Sequence, residues 1–156
     1  MTRSPIVAIL GLVTGCTTTS PLPLGPESLA SDVVITAVQS GWIRIDPSAC
    51  ILKPPTGPTP SDDRECSGQI DLNGDGRPER LTTLYAYGRG ARLALFDGAP
   101  GRTDPILEVE GYALMATTER RAGGWPVLAS YGDPVSAEER IGTEQTWNGT
   151  RFQPES

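Results

Sequence analysis

Histidine is absent from this 156-residue chain. Its absence excludes serine or cysteine nucleophiles activated by histidine, and zinc catalysis built on histidine ligands. Positive charge is also scarce, with 13 Lys and Arg against 19 Asp and Glu for a net charge of −6. Nucleic-acid binding rests on a basic footprint that such a chain does not supply. The arginines are scattered, Arg120-Arg121 being the adjacent pair, and read as solvated surface charges. A membrane-spanning run is missing as well. The apolar stretch from Ile6 to Val13 is bounded by Pro5 and by Thr14 with Thr17-Thr18-Thr19-Ser20, well short of the ~20 residues a spanning helix needs.

What is present at the N-terminus has the layout of a bacterial export signal. Arg3 supplies positive charge, Ile6 to Val13 the apolar stretch, and small residues lead up to Cys16. Val13-Thr14-Gly15-Cys16 resembles the lipobox of bacterial lipoproteins, with Val13 at the position where Leu is commoner. The resemblance implies cleavage before Cys16, diacylglycerol on its sulfur and acylation, such as palmitate, of the new amino terminus. Acyl chains would hold the protein on a membrane, each buried methylene contributing about 0.8 kcal/mol. The bland alternative is an ordinary cleaved signal. In enteric lipoproteins the residue after the lipidated cysteine influences sorting. Thr17 in that place implies the periplasmic face of the outer membrane in preference to the inner membrane.

Lipidation of Cys16 would leave Cys50 and Cys66 of the three cysteines as one pair. A bridge between them would close a loop of ~15 residues, worth about 3 kcal/mol in the chain-entropy picture. A metal pair is the alternative, but two cysteines without histidine cannot complete a zinc tetrahedron unless acids join them. The disulfide is favoured.

Residues 16–26 are rich in Thr, Ser, Pro and Gly and read as a tether. Residues 27–156 are the right size for one domain. Leu29, Ala30, Val33, Val34, Ala37 and Val38 recur at helical spacing and predict an N-terminal helix ended by Gly41, although Val33, Val34 and Ile35 also suit a strand. Trp42 to Asp46 predicts a short strand. Residues 51–65, with Pro54, Pro55, Pro58 and Pro60, read as an exposed loop stapled by the cysteines. Beyond residue 80, strands are expected at 81–87, 91–96, 106–112, 114–118 and 127–131, followed by a hairpin turning at Asn148-Gly149. The fold class expected is α+β, with one N-terminal helix on a small antiparallel sheet and one disulfide.

The candidate site is Asp71-Leu72-Asn73-Gly74-Asp75-Gly76-Arg77-Pro78-Glu79. Asp71, Asn73 and Asp75 offer oxygens at alternating positions, and Gly76 permits the turn that lets them converge. Arg77 would add its backbone carbonyl and Glu79 a closing carboxylate, an all-oxygen shell of the kind calcium prefers. The first six residues match the start of a helix-loop-helix calcium motif, but its twelfth position is Thr82, and Pro78 opposes a helix there. The arrangement instead resembles the nine-residue calcium loops of FG-GAP repeats in integrin-like propellers, with Glu79 where Asp is usual. One copy implies a calcium loop leading into a sheet and not a propeller. The metal-free reading is a tight turn with acidic decoration.

These features imply a lipid-anchored envelope lipoprotein with a calcium-stabilised binding or structural domain, whose partner is an envelope protein or glycan in addition to the membrane. An inhibitor of an envelope-directed enzyme, presenting the proline-rich loop, is one alternative. Another is a cell-wall glycan hydrolase using Glu108 with Glu110 or Glu138 with Glu139, pairs that read more simply as surface charge. A third is a carbohydrate binder stacking sugar on Trp42, Trp125 or Trp147, each more naturally a core residue.

Overall fold

The computed structural model describes residues 30–39, 41–54, 63–86, 90–121, 123–133, 136 and 138–155. Cys16, the signal segment, the tether and most of the proline-rich loop lie outside them. Among the described residues eleven strands follow one another: β1 (Val33–Gln39), β2 (Trp42–Pro47), β3 (Ala49–Leu52), β4 (Arg64–Ile70), β5 (Glu79–Ala86), β6 (Gly90–Phe96), β7 (Pro105–Glu110), β8 (Ala113–Arg120), β9 (Pro126–Tyr131), β10 (Gln145–Trp147) and β11 (Phe152–Pro154). They form two antiparallel sheets, one ordered β1-β2-β8-β9-β10-β11 and the other β3-β4-β5-β6-β7.

The expected α+β class is therefore wrong: the protein is all-β, and among the described residues there is no helix. The segment read as a helix is β1, paired antiparallel with β2 from Val33↔Pro47 to Gln39↔Trp42. Four of its first five residues, Val33, Val34, Ile35 and Thr36 among Val33 to Ala37, are β-branched. Such side chains lose χ1 freedom in a helix but fit a pleated surface. Here β2 supplies the partner strand that turns this preference into a ladder.

Alternation explains the core. In β2, Ile43, Ile45 and Pro47 are buried while Trp42, Arg44 and Asp46 are half-buried. Leu81 of β5, and Leu93 and Leu95 of β6, turn inward from the five-stranded sheet to meet Ile43, Ile45, Leu114 and Leu128 of the other. Each fully buried leucine or isoleucine contributes about 1.5–3 kcal/mol relative to exposure.

The chain changes sheet at Ser48, between β2 and β3, where the Ser48 N–H donates to the Asp32 carbonyl at 2.7 Å. Ser31 reaches the five-stranded sheet too, exchanging backbone hydrogen bonds with Gln69 of β4 at 2.9 and 2.7 Å. This crossing needs Gly68, because a Cβ there would overlap Val33 Cγ1 and the Asp32 carbonyl. Cys50 and Cys66 sit directly opposite on β3 and β4 and form the expected disulfide. The β10–β11 hairpin is present, but Trp147 pairs with Phe152, so residues 148–151 close it in place of a two-residue turn. The Asn148 side chain organises them by accepting from the Thr150 and Arg151 N–H groups at 2.9 and 3.0 Å.

Candidate metal centre

The acidic loop connects β4 to β5 and is wound around Asp71, which is 2% exposed. One oxygen, Oδ1, accepts from the N–H groups of Gly74 at 2.7 Å and Asp75 at 3.2 Å, and Oδ2 accepts from Gly76 at 3.1 Å. Asn73 Oδ1 accepts from the Asp75 N–H at 2.9 Å, and Asp75 Oδ1 from the Arg77 N–H at 2.8 Å. Reversals this tight place Gly74 and Gly76 at φ 74° and 85°, where a side chain is strained. Leu72, fully buried, anchors the loop in the core.

Glu79 opens β5 and is 0% exposed. Its Oε2 accepts from the Leu72 N–H at 2.7 Å, while Oε1 is buried without a hydrogen-bond partner. Burial pushes this carboxyl up to about 8, helped by the negative charges of Asp71 and Asp75 and opposed by the Leu72 N–H. One ligand oxygen from each of Asp71, Asp75 and Glu79 lies within 4.8 Å of the others. Three acids converging at this spacing repel one another, and a cation between them would relieve both the repulsion and the orphaned oxygen. The triad can hold a metal ion.

A competing cation is already nearby. The Arg77 guanidinium bonds Asp75 Oδ2 at 2.8 Å and holds the Asp75 carboxyl below the usual range. A metal drawing on Asp75 competes with this exposed pair, which is cheap to break. The Arg77 carbonyl, expected to face an ion, lies 2.9 Å from where a Cβ on Gly98 would be, with the Pro78 carbonyl at 2.5 Å. The carbonyl of Asn73 is likewise 2.8 Å from the position of a Cβ on Gly124. The Arg120 guanidinium covers Gly74 closely enough to overlap any side chain there. Gly98 and Gly124, in two other connections, and Arg120, at the end of β8, thus abut the loop closely. Nothing local in the sequence marks them, since each acts across a long stretch of chain.

The other nominated residues are placed elsewhere. Glu108 and Glu110 are exposed on edge strand β7, lining a groove with Leu84, Ala86 and Val109, and Glu108 pairs with Arg92. Glu138 is exposed and lies 3.8 Å from Arg140, while Glu139 accepts from the Tyr131 hydroxyl at 3.4 Å. Trp125 is buried and stacks on Trp147 at 4.8 Å between ring centroids, with Phe152 edge-on to both. Trp42 is half-buried in β2. No protein-family model, curated protein or solved structure matches this chain.

Proposed function

We propose that this protein is a lipid-anchored component of the bacterial cell envelope whose β domain is a binding or structural module stabilised by calcium. The observation that carries the calcium reading is Glu79, a fully buried carboxyl with one unpartnered oxygen, within ligand reach of Asp71 and Asp75. Oxygen donors favour a hard cation, and an irregular loop of carboxylate, amide and backbone oxygens suits the flexible coordination of calcium better than the strict octahedron of magnesium. Asn73 would complete the set by exchanging its bond to the Asp75 N–H for the ion. The role is structural: the ion neutralises Asp71, Asp75 and Glu79 and fixes the entry to β5. Modules outside the cytosol commonly bind calcium at about 0.1–1 mM.

Anchoring rests on the Val13-Thr14-Gly15-Cys16 resemblance, and Thr17 favours the outer membrane. Two experiments test the reading. In cells fed a radiolabelled fatty acid, the protein should carry label that Cys16→Ser removes; an unlabelled wild-type chain would make it simply secreted. Melting of the full chain should shift upward with millimolar calcium, and Asp75→Ala should abolish the shift. An equal shift in the variant would remove the loop from the account.

A further inference from the structure

On one flank of the molecule the Ser31–Gln69 backbone bonds tie the two sheets together. On the other flank the last strands of the sheets, β7 and β11, have no ladder between them. A slot of about 630 Å³ opens there, a volume typical of small-ligand sites. Its walls are apolar, with Ile106, Leu107 and Val109 of β7 facing Phe152 and Pro154 of β11.

Gln145 is the polar exception. It is 7% exposed, and alternation along β10 puts it on the same face as Trp147, which packs against the core. Its partners across the ladders are Leu128 and Pro154. A carboxamide taken out of water in such company is costly unless hydrogen bonds replace what it loses. Here Nε2 donates to the Thr143 carbonyl at 3.3 Å, longer than a good N–H···O bond. Oε1 accepts from no described residue. Unlike Glu79 Oε1 it is not sealed in, and the residue lines the slot. The carboxamide thus has a spare donor and a spare acceptor, the complement of another amide.

We propose that the slot binds an extended, uncharged peptide segment of a partner protein. One backbone amide of the segment pairs with the Gln145 carboxamide, and an apolar side chain lies between Ile106 and Phe152. The rim does not call for a charged ligand, because Glu108 is paired with Arg92, and Asp104 and Arg151 are of opposite sign. A sugar fits less well, since aliphatic walls would leave most of its hydroxyls without partners. Plain strand addition is also hampered, because Pro105 opens β7 and Pro154 closes β11 and neither has a backbone N–H. Gln145 supplies the polar contact in its place. The inference gives a ligand class to the binding role proposed above. Its failure would leave the calcium reading untouched, because no residue of the 71–79 loop lines the slot.

The probe is acetyl-Val-Leu-Val-amide, which offers backbone amides and apolar side chains without charge. Titrated to roughly 1 mM into the full chain in mild detergent, it should shift the side-chain amide NMR signals of Gln145 saturably. N-acetylglucosamine at the same concentration should leave them in place. Gln145→Leu should weaken peptide binding by about tenfold, the loss of one buried amide pair. The same variant should keep or raise the urea midpoint, because the wild-type carboxamide bonds its own protein poorly. Absence of a shift with the peptide, equal peptide affinity in the variant, or a shift with the sugar alone would overturn the inference. So would a lowered urea midpoint, which would make Gln145 a structural residue.

Discussion

Glu79 and Arg77 set the behaviour of the loop between them. A carboxyl near 4.5 in the unfolded chain and about 8 when folded keeps its proton longer in the native state. The native form then binds more protons than the unfolded form between those values, so stability without metal is greatest below about pH 4.5 as far as this group is concerned, and falls as pH rises toward 8. Melting of the calcium-free protein from pH 5 to 8 should show the decline, and Glu79→Gln, which carries no charge at any pH, should flatten it. Removing the competing cation acts in the other direction. Arg77→Gln should tighten calcium binding by about two- to fivefold, because the exposed pair with Asp75 is weak, as read from calcium titrations of both proteins. Thr83 poses a separate problem, because its hydroxyl oxygen is buried without a partner. Thr83→Val keeps the shape and removes the polar atom, and should stabilise the domain by about 1 kcal/mol in urea unfolding.

At the level of elements, the sequence was readable where a pattern was local. The alternating donors of residues 71–79 could be seen because all the candidate ligands lie within nine residues, and the structure brings three of their carboxylates together. Strands β2 and β5 to β9 were foreshadowed by apolar stretches between glycine and proline signals. The N-terminal segment was misassigned because residues 29–38 satisfy helical spacing while their β-branched composition favours a strand. Only pairing with β2 decides between the two, and the sequence does not display that partner. Strand β4 was missed for another reason. Its inward positions are Cys66, Gly68 and Ile70, so a small residue and a cysteine interrupt the apolar alternation. The disulfide that joins β4 to β3 should matter in proportion to the loop it closes. Replacing both Cys50 and Cys66 with Ala should cost about 3 kcal/mol, measured by denaturant unfolding, and leave calcium binding intact because the loop lies at the far end of β4.

Across the whole molecule, the loop acts as a junction. Its backbone meets Gly98 between β6 and β7, Gly124 between β8 and β9, and the Arg120 side chain of β8, so both sheets bear on it. These long-range contacts explain why an ion at one turn would stabilise the entire domain. They also explain why the supporting residues were illegible: a glycine chosen for close approach of distant backbone looks like any turn glycine. Calcium at 100 times its dissociation constant would add about 2.7 kcal/mol to global stability, enough for a shift of several degrees in melting temperature.

Calorimetric titration of calcium into the full chain, wild type beside Glu79→Gln, tests the central claim most directly. The account predicts saturable binding to the wild type at roughly 0.1–1 mM, with proton release near neutral pH as Glu79 ionises, and loss of both in the variant. Identical binding by the two proteins, or no binding by the wild type at tenfold higher calcium, would contradict it.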